Sequence, residues 1–258
     1  MLRELSSAPL VAWGNAWLSG QAGLDDAVDA VERRTGPHVV DAPAGAGLPF
    51  EPGAPLRAAL AELRAAGLTA FRLCLPVPGD PLGLVGTAEL NMAAIEAREA
   101  VLVRVADRQL GLVPREDRRG SSYVGVCWTP YPAADTTPEY IQLAEAEYRL
   151  NLAVRECTAL FGRVDDIAPW GPEVAQALAD LRDADRAPTD GLAPGFPQRA
   201  HRLAALADRL AVVVRLADVS GGRGLSASQM EARRTALGLL DRAVRRARIA
   251  AYTAVVPG

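Results

Sequence analysis

Lysine is absent from this 258-residue chain, and all 28 basic residues are arginine. That excludes a Schiff-base lysine, a lysine general base and a P-loop, each of which needs the ε-amine. With the abundance of alanine, it points to the codon bias of a GC-rich genome. Histidine is nearly missing as well, with only His38 and His201 present. No HExxH, Cys/His zinc site or ExxH di-iron pair can therefore be written, and no metal or cofactor is implied. The three cysteines, Cys74, Cys127 and Cys157, form no CxxC and each sits in an apolar pattern, which predicts reduced core thiols. No segment approaches the roughly 18 continuous apolar residues of a membrane span, and the N-terminus lacks a signal-peptide pattern. The expectation is a soluble, cytoplasmic protein. There is also no GxSxG. Gly45-Ala46-Gly47 follows a short strand, but it lacks the third glycine of a dinucleotide fingerprint, and nearby prolines prevent a helix from starting there. A formal charge of −3 argues against a general polyanion binder.

What the sequence does contain is organised around residues 68–84, LTAFRLCLPVPGDPLGL. Thr69, Phe71, Leu73 and Leu75 alternate with Ala70, Arg72 and Cys74, the period of a strand. Pro76 and Pro78 end it, and Gly79-Asp80-Pro81 forces a turn with a carboxylate at its tip. Helices are predicted over 8–18, 24–34 and from Pro55 to about Ala66. A hairpin is predicted over 100–113, followed by a charged loop from Arg115 to Ser122 and a strand from Tyr123 to Thr129. Trp13 and Trp17, one turn apart, read as core or interface anchors. Beyond Pro130 and Pro132 the pattern turns helical. Apolar stripes predict four helices, including one opened by Pro172 with Val174, Ala177, Leu178 and Leu181 in its stripe, and a last one opened by a capping box, Ser226 to Gln229, with Met230, Leu237, Leu240, Val244, Ala247 and Ala251 facing in. The expected fold is α+β: a small mixed sheet with helices in residues 1–135 and an antiparallel helical bundle in residues 136–258.

Two groups of side chains stand out as candidate sites. Ligands tend to sit beyond the carboxyl ends of strands, so Asp80 is a candidate contact. Arg115, Arg118, Arg119, Ser121 and Ser122 could cradle a phosphate or carboxylate through guanidinium forks and hydroxyls. The competing reading is a solvated loop in which Glu116 and Asp117 pair with those arginines. The second group is Arg234, Arg242, Arg245 and Arg246, which gather opposite the apolar stripe of the last helix. From Ser226 onward six arginines face two acids, whereas residues 138–190 carry eleven acids and five arginines. Such a basic face suits a protein partner or simple charge compensation between neighbouring helices. Nucleic acid is disfavoured, because no aromatic interleaving and no helix-turn-helix accompany it. No catalytic residue can be assigned.

At LPVPGDPLGL (75–84), RRGSSYVGVCWTPYP (118–132) and PGFPQRAHRLAALADRL (194–210) the sequence resembles a group of conserved, uncharacterised proteins of GC-rich actinobacteria. The resemblance extends over most of the chain and implies no known activity. The helical bundle, the complementary charge blocks, the tryptophan-bearing N-terminal helices and the lack of a catalytic signature lead to the expectation of a non-enzymatic function: a regulatory or scaffolding protein acting through protein contacts and associating with itself. The alternative is a protein, enzymatic or sensory, that takes an anionic metabolite between the Asp80 turn and the Arg115 to Arg119 segment.

Overall fold

Helix α1 (Ser7–Leu18) is buried almost all round, with nine of its twelve residues inaccessible to solvent. A helix of that kind sits between layers rather than on one. The structure is a computed structural model that describes residues 5–42, 47–119, 123–135, 141–162, 192–219 and 226–255. After α1 come α2 (Leu24–Thr35), β1 (His38–Val40), β2 (Ala54–Pro55), α3 (Leu56–Ala65), β3 (Leu68–Cys74) and α4 (Ala88–Ala97). Then follow β4 (Ala100–Val105), β5 (Arg108–Arg119), β6 (Tyr123–Ala133), α5 (Leu143–Gly162), α6 (Gln198–Val219) and α7 (Ala227–Tyr252). The predicted helix opened by Pro172, with Val174, Ala177, Leu178 and Leu181, lies outside the described residues.

The six strands form one mixed sheet in the order β2-β1-β6-β5-β4-β3, in which only β1 and β6 run parallel. Strand alternation divides its faces. Phe71, Leu73, Val101, Val103, Val105, Leu112 and Trp128 point into one large core, while Cys74, Ala100, Leu102 and Val113 point into a smaller one under α4. The large core continues without a break into Leu150, Leu203, Leu210, Leu240 and Val244 of the C-terminal helices.

Edge strand β3 would expose unpaired peptide groups, and α1 covers it. Asn15 donates from Nδ2 to the Phe71 carbonyl at 2.9 Å and accepts from the Phe71 N–H at 2.9 Å. One side-chain amide thus stands in for a neighbouring strand at that position. Next to it, Gly14 lies against the Phe71 ring so closely that an added Cβ would sit 2.7 Å from two ring carbons. At the start of α1, Glu99 Oε2 accepts the Ser7 N–H at 2.8 Å and so satisfies one of the helix's unpaired N-terminal donors.

The C-terminal helices follow from their contacts. Arg248 and Tyr252 near the end of α7 reach Asp208 in α6, whereas Arg233 near its start reaches the Ala217 carbonyl. These two helices are therefore antiparallel. Cys157 meets the Ala236 carbonyl, and Glu147 pairs with Arg199, so α5 runs with α6 and against α7. The predicted capping box forms, since Ser226 Oγ accepts the Gln229 N–H and Gln229 Oε1 accepts the Ser226 N–H.

Three local expectations change. Residues 115–119 are not a loop: β5 continues through them, paired with β6 as far as Arg119 opposite Tyr123. A ribbon with solvent on both sides can be charged on both, which hides the strand period. β6 runs on through Pro130 and Pro132, beyond the three residues where β1 flanks it, so its missing N–H groups leave no ladder bond unmade on that side. Met230, read as inward-facing, is exposed.

Asn15→Ala leaves both Phe71 peptide groups buried without partners and is expected to destabilise the fold by about 2–4 kcal/mol in urea unfolding. Gly14→Ala drives a methyl into the Phe71 ring and is expected to cost about 1–3 kcal/mol in the same assay.

Candidate functional site

The turn that follows β3 is built as its sequence requires. Val77 and Asp80 exchange backbone hydrogen bonds at 3.0 Å in both directions, with Pro78 and Gly79 between them. Gly79 has φ +79°, so Pro-Gly here makes a type II turn. The Asp80 carboxylate does not project to solvent from this turn but meets α7. Arg245 donates from Nη2 to Asp80 Oδ2 at 3.0 Å, from Nη1 to the Leu75 carbonyl at 3.0 Å and from Nε to Asp241 Oδ2 at 2.7 Å. Arg242 Nε adds a contact to the same Asp80 oxygen at 3.3 Å.

Arg245 was expected on the outer face of the last helix, and this is corrected. Its side chain is only 10% exposed, and it locks α7 to the end of β3. The helical wheel assumed one buried face, but the C-terminal half of α7 is covered on two sides. Of the other arginines, Arg234 is exposed and paired with Glu231, Arg242 is exposed beside Asp80, and Arg246 is half-buried.

The arginines of the β5 ribbon are engaged locally. Arg118 pairs with Glu116 at 2.8 Å, Arg119 pairs with Asp117 at 2.9 Å and lies over the Tyr123 ring, and Arg115 lies 3.7 Å from Asp41. The ion pairs of Asp80 are with α7 and those of the ribbon are with Asp41, Glu116 and Asp117, so the two predicted halves of an anion site have separate partners. Ser121 and Ser122 lie outside the described residues. His201 lies half-buried on α6.

A polar cluster that the sequence did not flag surrounds His38. Trp128 Nε1 donates to His38 Nδ1 at 3.1 Å, so the imidazole carries its proton on Nε2 and donates to Thr35 Oγ1 at 2.8 Å. Thr35 donates in turn to the Val31 carbonyl at 3.3 Å. This chain of bonds ties β6, β1 and α2 together and leaves the ring no route to a substrate. Burial brings the His38 pKa down to about 4. A second cluster lies between α6 and α7, where Asp208 accepts from Arg248 Nε at 2.6 Å and from Tyr252 OH at 2.8 Å. Burial in the first place, then the neighbouring carboxylate, pushes the Tyr252 phenol above its usual range. The three cysteines are free and buried, and burial lifts Cys74 to about 12 and Cys157 to about 11. Neither thiol is a ready nucleophile. Among the described residues no group of three His, Cys, Asp or Glu side chains is placed to hold a metal ion, and no helix is long and apolar enough to cross a membrane.

The remaining feature is apolar. Tyr148 and Leu152, one turn apart on α5, are 68% and 42% exposed, and Leu239 on α7 is 48% exposed. From the contact of Cys157 with Ala236, the antiparallel register brings Leu152 level with Asp241, within one turn of Leu239. Tyr148 and Leu152 lie on the outer face of α5, flanked by the exposed Glu145 and Glu156.

Folded His38 stays neutral down to about pH 4, whereas the unfolded chain protonates it near 6.5. The unfolded state therefore binds more protons between these values, and stability falls as pH drops through that window. The advantage of the wild type over His38→Gln is expected to shrink by about 3 kcal/mol between pH 7 and pH 4, read by unfolding at each pH. Arg245→Met, which strips a buried carbonyl and a carboxylate of their donor, is expected to cost about 3 kcal/mol. Arg242→Met is expected to cost less than about 1 kcal/mol.

Comparison with known proteins gives consistent matches. Residues 7–142 match the family model described as Rv1486c-like protein, N-terminal domain, and residues 144–249 match Rv1486c-like protein, C-terminal domain. The chain is 31% identical to uncharacterized protein Rv1486c of Mycobacterium tuberculosis, across 97% of this chain and 96% of that one. It is 29% identical to uncharacterized protein ML1804 of Mycobacterium leprae, over 97% of each. It is also 29% identical to uncharacterized protein MAV321 of Mycobacterium avium, over 61% of each. No solved structure matches. The two family models and the near full-length likeness to the mycobacterial relatives make this chain a member of the Rv1486c-like family, an actinobacterial family with no known activity.

Proposed function

We propose that this protein works by contact with other protein surfaces, in the first place a second copy of itself, and not by catalysis. The observation that carries this reading is the outer face of α5. Two of the six large hydrophobic side chains exposed among the described residues, Tyr148 and Leu152, stand there one turn apart between the exposed Glu145 and Glu156. An exposed tyrosine beside an exposed leucine, rimmed by charge, has the composition of an interface anchor.

The polar groups elsewhere support the same reading. His38, Asp80, Asp208 and Arg245 each spend their hydrogen-bonding capacity on holding elements together. A general acid or base needs a free position aimed at a substrate, and both ring nitrogens of the buried His38 have theirs filled. The free, buried thiols fit a reducing, cytoplasmic setting.

Sedimentation velocity over a concentration series tests the reading. The wild type is expected to sediment as a dimer, and Tyr148→Asp combined with Leu152→Asp as a monomer of unchanged thermal stability. A wild-type protein that remains a monomer at its highest soluble concentration would contradict the proposal.

A further inference from the structure

We infer that two copies of this chain pair antiparallel through the outer faces of their α5 helices, about a two-fold axis that crosses α5 midway between Tyr148 and Leu152. This rests on the self-association reading above and specifies its geometry. Ala146, Leu150, Ala153 and Cys157 turn one side of α5 into the core. Glu145, Tyr148, Leu152 and Arg155 lie on the opposite side, at steps of three, four and three residues. That spacing is the seam of a coiled coil. All four side chains are exposed, so the seam lies open in the single copy.

A two-fold axis perpendicular to a helix sets each residue opposite the one equally far from the axis in the second copy. Tyr148 then meets Leu152 of the second copy, and Glu145 meets its Arg155. Each contact occurs twice, which puts an aromatic ring against a leucine at the centre and an acid against a base at both ends. Arg149 and Glu156 each follow a seam residue by one position, on the same flank, where antiparallel pairing brings Arg149 beside the second copy's Glu156.

The neighbouring arrangements lose this match. With the axis at Leu152, Arg149 falls opposite Arg155, a like-charge contact; with the axis at Tyr148, Glu145 falls opposite the neutral Asn151. A parallel pair sets Glu145 on Glu145 and Arg155 on Arg155. Within one copy Glu145 pairs with Arg149 at 2.8 Å, but both side chains are exposed and the pair yields readily to a second helix. Arg155 enters no ion pair among the described residues, which leaves its charge to the second copy. A contact along one face of one helix is small, so the pair is reversible and its dimer fraction falls on dilution.

Charge reversal and disulfide trapping test this pairing in the full-length protein. Glu145→Arg and Arg155→Glu are each expected to weaken the dimer about tenfold or more in sedimentation velocity, since each change acts twice, and the two combined in one chain are expected to restore it. Recovery in the combined variant separates a lost contact from a lost fold. Glu145→Cys mixed with Arg155→Cys under mild oxidant is expected to give a disulfide-linked pair that neither variant gives alone, because like positions lie about 15 Å apart along the helices. The native thiols, being buried, stay out of the reaction. A dimer indifferent to both reversals, a combined variant as weak as the single ones, or a Glu145→Cys chain that couples to itself overturns this pairing and leaves self-association standing. A wild type that never dimerises removes both.

Discussion

The fold depends on how α1 is held between a sheet and a helical bundle. Asn15 supplies the peptide-like pair of hydrogen bonds that the open edge of β3 needs, and Gly14 lets the helix approach close enough for it to do so. With the edge closed, Phe71 and Leu73 can be buried under α1, whose other sides are free to meet the C-terminal helices. A bare strand edge at that place would be both a destabilising row of unpaired groups and a template for aggregation. The second tie between the halves is Arg245, which joins α7 to the carbonyl of Leu75 and the carboxylate of Asp80. One link is a neutral amide on a strand and the other is a buried charge on a turn, and they act at successive points along the same stretch of chain.

Those ties explain why the polar residues that look functional in the sequence serve as fasteners in the structure. Asp80 sits at the tip of a rigid turn, a position well suited to ligand binding, but the tip abuts α7. Arg115, Arg118 and Arg119 lie on a two-stranded ribbon and pair with carboxylates on the same ribbon or on β1's flank. Of the six large apolar side chains exposed among the described residues, four (Tyr148, Leu152, Met230 and Leu239) lie on the bundle. That contrast, polar groups engaged inward and apolar groups turned outward, is the physical ground for reading this member of the Rv1486c-like family as a protein that works by contact.

Much of the architecture was legible because local signals agreed with tertiary demands. The strand over 68–74, the hairpin from β4 to β5, the capping box at Ser226 and the bundle stripes each follow from residue periodicity or turn chemistry. The failures share a cause, which is burial or exposure on more sides than a single-face pattern allows. The charged ribbon of residues 115–119 is solvated on both faces and loses its period-two signature. Arg245 lies where the bundle meets the sheet, so a wheel with one apolar face misplaces it. A signal was present in that case: the apolar residues Ala243, Val244, Ile249 and Tyr252 fall on all sides of the helix, as a helix packed on several sides requires. Gly14 and Asn15 were similarly readable, since both are poor helix formers placed mid-helix and so mark a backbone approached at close range. The His38 chain left no pattern, because its members come from three separate elements.

The central claim is that sheet and bundle share one core through α1. Equilibrium unfolding followed on one sample by tryptophan fluorescence and far-ultraviolet circular dichroism tests it most directly. In a Trp170→Phe background Trp13, Trp17 and Trp128 report on α1 and the sheet, while most of the helical signal comes from the long C-terminal helices. The account predicts a single transition with coincident midpoints by both probes. Two separated transitions, with the helical signal lost while the tryptophans remain native, would contradict it.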